Sequence, residues 1–387
     1  MRKKMFLALL LAGVLALTAC GGDETTDNTT DDTEPEIPVV VIDEPEPETP
    51  DDTAVETPVE EDDPEGEMEG MYRSELTNEW IDEALYDQRP IAVMVDNEIT
   101  ALDHYGLNGA DVVYEIMNST QNERVTRLCC IVKDWKNLEQ FGSIRSARPT
   151  NFMIGAEYNA VLIHDGGSHL EPYYKKGYTP SLSGSFARFI NGKATEFTEY
   201  VTSETYTNAK GKTFAGLISR MESAGYSETY TDDRAYEHFD FYNKEHSYED
   251  AADAQAVTHI ALPFPHNSSM LDYDETEMKY VYSEYGQTGH PDPLDDNKNL
   301  MFKNVILQNT DWEGIGTHGY LVYNVVGTGD GYYLTDGYAI PITWTKTEED
   351  SQTVYYNAET GEVLKMNTGK TYIAYVPSDV WGELVME

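Results

Sequence analysis

The chain has 387 residues, with 26 Lys or Arg against 70 Asp or Glu, and a formal net charge of -44 at pH 7. Such a polyanion repels phosphate backbones and anionic headgroups, which argues against nucleic acid and against anionic lipid surfaces as partners. Its three cysteines, two of them adjacent, have neither metal-ligand nor redox spacing.

At the start, Arg2, Lys3 and Lys4 precede the apolar run Met5 to Leu17, which is too short to span a bilayer comfortably as a mature helix. Leu17-Thr-Ala-Cys20-Gly21 is similar to the lipobox of bacterial lipoproteins, in which the cysteine is lipidated and becomes the mature N-terminus. Residues 1–19 are therefore expected to be a lipoprotein signal peptide, with an ordinary secretory signal cut nearby as the alternative. Cys20 is expected to hold the protein to the lipid bilayer, on the outer face of the cytoplasmic membrane. Two acyl chains, at about 0.8 kcal/mol per buried CH₂, make that attachment durable.

Residues 21–70 contain 21 Asp or Glu, seven Pro, no Lys or Arg and no aromatic residue. A segment of this kind cannot bury enough apolar surface to offset its ordering entropy, and its like charges extend it. With Cys20 it is read as a tether (20–70) that lets the folded part range roughly 40 Å from the membrane. A role as a ligand for basic partners or divalent cations is the rival reading. The remainder, 71–387, has 49 acids against 23 Lys or Arg, a net charge of -26. Its length is that of two domains.

In the first of these, 71–225, strands are predicted at Ile91 to Val95, Asp111 to Met117, Leu128 to Val132 and Ala160 to His164. Helices are predicted at Pro149 to Tyr158 and at Thr213 to Ala224, the latter stopped by Gly225. This is a mixed α/β pattern. Cys129 and Cys130 lie within a predicted strand, so they face opposite sides and read as buried free thiols. Residues 226–258 read as a connection, with a short Ala-rich helical pattern at Tyr248 to Ala256.

From 259 to 387 the pattern is mainly antiparallel β. Strands are predicted at 258–262, 279–285, 304–308, 320–326, 332–334, 339–344, 353–356, 363–365 and 371–376, with turns at Asp336-Gly337 and Thr368-Gly369. Gly327-Thr-Gly-Asp-Gly331 is followed by no helical pattern, so it reads as a hairpin turn and not as a nucleotide loop. No cofactor is implied. The fold class is α+β, a mixed α/β part followed by a mainly antiparallel β part.

Candidate chemistry concentrates in Gly142-Ser-Ile-Arg-Ser-Ala-Arg-Pro149. Pro149 suits the first turn of a helix, so Arg145, Ser146 and Arg148 stand just before a helix N-terminus. That end carries partial positive charge and free N–H groups, so the cations must pair with internal carboxylates or converge with it on a bound anion. Other polar residues fall at strand ends, where α/β sheets commonly build sites: Asp96, Asn97, Glu115, Arg127, His164 and Ser168. His164 could serve as a general acid or base with Asp96 as its partner. A metal held by His164, Asp165 and His169 is not implied, because neighbouring strand residues point to opposite faces.

The stretches Arg89 to Asn97, Leu107 to Glu115, Gly142 to Arg148 and His164 to Ser168 resemble the N-terminal motifs of the YerB family of bacterial lipoproteins. Tyr280-Val-Tyr282, Gly286, His290, Asp292, Asn304 to Gln308 and Gly369 to Ile373 resemble that family's C-terminal part. The resemblance implies a two-part lipoprotein of Gram-positive type bacteria with α-β-β-α layers and no assigned function, and it supplies no catalytic residues. Asp165 departs from the family's usual small or apolar residue. Three readings follow: a binder of an anionic or glycan cell-envelope ligand, a small anion or a cell-wall polymer, through the arginines; an envelope hydrolase acting on a phosphodiester or glycosidic bond through His164 and Asp96; or a structural envelope assembly protein.

Overall fold

The computed structural model describes residues 68–387 apart from Ser168 and His169. The expectations for Cys20, the signal segment and nearly all of the tether lie outside those residues, as does that for Ser168. No helix among the described residues is long and apolar enough to cross a membrane.

The strands predicted in the first half form as expected. They are β1 (Ile91–Asp96), β2 (Val112–Met117), β3 (Thr126–Val132) and β4 (Val161–His164), every residue of them buried. Because successive side chains alternate sides, β1 sends Ile91, Val93 and Val95 into one core and Ala92 and Met94 into another. Cys129 and Cys130 divide between the same two cores as buried free thiols.

The large sheet has eleven strands. The others are β5 (Ser181–Ser183), β6 (Gln255–Ala256), β7 (Asn304–Thr310), β8 (Gly327–Thr335), β9 (Tyr338–Lys346), β10 (Val354–Asn357) and β11 (Thr371–Pro377). Their spatial order is β6-β9-β8-β7-β11-β2-β3-β1-β4-β5, with β10 paired to β9 further along the edge that β6 begins. Strands from both halves of the chain thus share one sheet. The last long strand, β11, runs parallel to β7 on one side and to β2 on the other.

The molecule is mostly β, with three short α-helices among the described residues: α1 (Pro149–Glu157), α2 (Glu171–Lys176) and α3 (Leu217–Ala224). Phe152, Met153 and Ile154 of α1 pack on the face that carries Ala92 and Met94. The opposite face receives Leu217 and Met221 of α3. It also receives a second, five-stranded sheet, which contributes Ile260, Leu271, Tyr280, Tyr282 and Phe302.

Three local expectations are corrected. The helix predicted from Thr213 starts at Leu217, because Thr213–Phe214 pairs as a strand with Tyr206–Thr207. A side chain at Gly216 would also meet the Ser203 carbonyl at 2.3 Å. The Ala-rich stretch Tyr248 to Ala256 forms turns and then β6, since a nine-residue segment is too short to hold a helix without tertiary support, and pairing with β9 prevails. Gly327 to Gly331 is the start of β8 and not a turn. Its glycines serve close approach: a Cβ at Gly329 would lie 2.6 Å from the Trp344 ring, and one at Gly331 would lie 2.4 Å from the Leu307 carbonyl oxygen. The hairpin turn follows at Asp336-Gly337, both left-handed at φ 51° and 78°.

Candidate functional site

The register of the sheet begins the site. In the β1–β3 pair Asp96 lies opposite Arg127, at the carboxyl end of β1. The segment that follows Gly142 then threads between strand ends. Arg145 N–H donates to the Met94 carbonyl at 2.9 Å, and the Arg145 carbonyl accepts from Asp165 N–H at 3.0 Å. This sets the Arg145 side chain beside Asp96, with Nε 2.7 Å from Oδ2. The two atoms are not aligned for a hydrogen bond, so the contact is an ion pair. Arg145 also reaches Glu196 Oε2 at 3.4 Å and lies over the Phe197 ring.

Arg148 is the residue before α1, and Pro149 occupies the first helical position as expected. Asn151 Oδ1 accepts the Arg148 backbone N–H at 2.6 Å, which ties down the helix start. Among the described residues the Arg148 guanidinium donates to the carbonyls of Asn118 at 2.8 Å and Ala147 at 2.9 Å, and it lies 4.2 Å from the centre of the Tyr320 ring. Arg127 donates to Asn118 Oδ1 at 2.9 Å and to the Ser146 carbonyl. Among the described residues no carboxylate forms an ion pair with Arg127 or Arg148.

Arg127, Arg145, Ser146 and Arg148 line one cleft of about 720 Å³, closed by Gly167, Ile315, Gly316, His318 and Tyr320. Burial pushes Arg127 down to about 9, against the pull of Asp96 and with the help of the two neighbouring arginines. Burial likewise pushes Arg148 down to about 10, with Tyr320 opposing and Arg145 adding to the effect. Both remain cationic at neutral pH. Burial raises the Asp96 carboxyl, and Arg127 and Arg145 hold it back. The cleft therefore concentrates three guanidinium groups, two of which, Arg127 and Arg145, also act on the buried Asp96 carboxyl. Such planar donor forks match carboxylate and phosphate oxygens.

The other sequence candidates lie elsewhere. Asn97 and Glu115 meet each other on the opposite face of the sheet, at 3.4 Å, inside a closed polar network. There Glu115 accepts from Thr126 and Tyr372 at 2.6 Å, from Ser269 at 2.7 Å and from Tyr282 at 3.1 Å. Burial raises its carboxyl despite these four hydroxyls. His164 is buried at the end of β4, its Nδ1 3.2 Å from the Gly166 carbonyl and its Nε2 3.2 Å from the Tyr174 hydroxyl. Ser146 Oγ donates to the Asp165 carbonyl at 2.6 Å.

Sequence reasoning missed the wall contributed by the second half of the chain. Tyr320 and Ile315 stand on paired strands, Trp312–Ile315 and Tyr320–Tyr323, and His318 stacks on Tyr320. The aromatic pair in Thr317-His-Gly-Tyr320 was the available signal, but nothing local connects it to arginines some 170 residues earlier.

With this geometry in view, two family models match the chain. The model described as "Protein of unknown function (DUF3048) N-terminal domain" covers residues 76–216, and its C-terminal counterpart covers 260–373. A relative from Bacillus subtilis (strain 168), described as "Putative lipoprotein YerB", is 29% identical over 120 residues. That match spans 31% of this chain and 33% of the relative, about a third of its length. The crystal structure of the YerB protein from Bacillus subtilis superposes with a TM-score of 0.61 at 18% identity, covering 82% of this chain and 99% of that one. At that identity the likeness establishes the fold.

Proposed function

The chain belongs to the YerB-type DUF3048 family, whose two parts have no assigned function, and from that premise we propose that it is a membrane-anchored lipoprotein that binds an anionic cell-envelope ligand in its arginine cleft. The observation that carries the proposal is the convergence of Arg127, Arg145 and Arg148 on one cleft in which, among the described residues, only Arg145 forms ion pairs with carboxylates. Three guanidinium groups against two nearby carboxylates, Asp96 and Glu196, leave positive charge for an external anion. The name of the Bacillus subtilis relative supports the lipid anchor, as does the lipobox ending in Cys20. On this reading the anchor and tether place the cleft outside the cell, within reach of wall polymers.

The hydrolytic reading has less support. The Asp96 carboxylate faces Arg145, and both ring nitrogens of His164 have partners other than Asp96. Calorimetric titration with inorganic phosphate and with a glycerol-phosphate oligomer tests the binding proposal. The Arg127→Gln, Arg148→Gln variant is expected to lose roughly 10- to 100-fold in affinity, as two charge-assisted hydrogen-bond donors are removed. Equal affinity in variant and wild type would sink it.

A further inference from the structure

On the other side of Asp96 stands a second cluster. His104, Glu284 and His290 each offer one donor atom, and these atoms all lie within 4.8 Å of one another. His104 follows β1, Glu284 directly follows the strand Lys279–Ser283, and His290 lies in the loop beyond it. All three side chains are buried.

Their hydrogen bonds show what each atom presents. His104 Nε2 lies 2.6 Å from the Asp96 carbonyl oxygen, which can only accept, so Nε2 carries the proton and Nδ1 presents a lone pair. That lone pair faces His290 Nε2 at 3.1 Å. Glu284 Oε2 is within 3.3 Å of both Asn267 Nδ2 and the Tyr282 hydroxyl. Its Oε1 is buried without a hydrogen-bond partner, 3.5 Å from His290 Nδ1. A sealed carboxylate oxygen that accepts no hydrogen bond is costly unless something completes it. Among the described residues no Lys or Arg forms an ion pair with Glu284 or with Glu115, whose nearest link to it is Tyr282.

We propose that His104, Glu284 and His290 form a binding site for one divalent transition-metal ion of the zinc class. Two imidazole nitrogens and one carboxylate oxygen are the donor set that suits such an ion. A backbone carbonyl on the far nitrogen of a ligating histidine is the usual device that fixes its tautomer and aim, and Asp96 supplies it to His104. The ion supplies the positive charge that this buried carboxylate lacks. It also ties the loop after β1 to the five-stranded sheet. Through Asp96 it braces the residue whose carboxylate pairs with Arg145, so the two sites share one backbone position.

The test uses the full chain, stripped with a chelator and titrated with Zn²⁺. One equivalent is expected to bind and to raise the thermal midpoint. Glu284→Gln and His290→Gln, checked for native circular dichroism, are expected to weaken binding by more than about 100-fold, beyond the loss typical of an outer hydrogen-bonding partner. Zinc uptake equal in wild type and in the double variant would assign it to the many exposed carboxylates and overturn the site. Should the variants fail to fold, Co²⁺-loaded wild type decides: paramagnetically shifted ring protons from two histidines support the site. Their absence would leave His104 and His290 as a hydrogen-bonded pair and overturn it.

Discussion

Among single residues, burial decides behaviour more than charge type does. His238 packs against Tyr158 and Phe239, with ring centres 4.1 Å and 4.3 Å away. Burial, then the Lys346 cation, push it down to about 3, with only a backbone contact to Glu157 opposing. A base with a depressed folded pKa binds fewer protons folded than unfolded between that value and its ordinary 6.5, so its stability contribution is complete above pH 6.5 and lost on acidification. Thermal melts of wild type and His238→Phe should therefore diverge below pH 6.5, the wild type losing on the order of 2 kcal/mol more by pH 4.5. Parallel curves would contradict the assignment. Arg145 and Arg148 were legible at this scale because Pro149 marks a helix start and cations there demand an explanation. Tyr320, which lies against Arg148, was not legible, because its role depends on a contact across 172 positions.

Between elements, a buried ion pair adds to the apolar packing of α1 on the sheet. Lys346 Nζ at the end of β9 lies 2.9 Å from Glu157 Oε1 at the end of α1, both side chains at 0% exposure, and Thr353 donates to the same carboxylate at 3.1 Å. Removing one partner strands the other in the core. Lys346→Met is thus expected to cost about 3–5 kcal/mol in chemical denaturation, whereas adding Glu157→Leu should restore much of it. An additive double variant would show that the two side chains act independently. Strands were the most readable elements, since β-branched and aromatic runs bounded by turn residues carry their own period. Gly327 to Gly331 misled because glycine that admits a close neighbour looks the same in sequence as glycine that turns the chain. The five-stranded sheet was only partly readable, as its strand Met270–Asp274 has a single fully buried residue, Leu271, and no regular alternation.

Taken whole, the described residues belong to a single compact unit, and the large sheet closes only when β11, near the end of the chain, inserts between β7 and β2. A fragment ending at residue 258 would leave β2 as an open, apolar edge and Glu115 without Ser269, Tyr282 and Tyr372. Calorimetry of residues 68–387 is expected to show one cooperative transition, and the 68–258 fragment to lack near-ultraviolet circular dichroism. A fragment that melts cooperatively would establish an independent first domain. The sequence by itself determined the acidic character of the chain, its family, most strands, the Asp336-Gly337 turn and the start of α1. These follow from side-chain period and backbone φ, which are properties of a few neighbouring residues. Only the tertiary structure decided which polar group meets which: that Asp96 joins Arg145, that Glu115 retreats to a hydroxyl network, and that His104 finds His290 from 186 positions away. Such pairs are set by strand order and loop closure over long separations, and no local pattern records them.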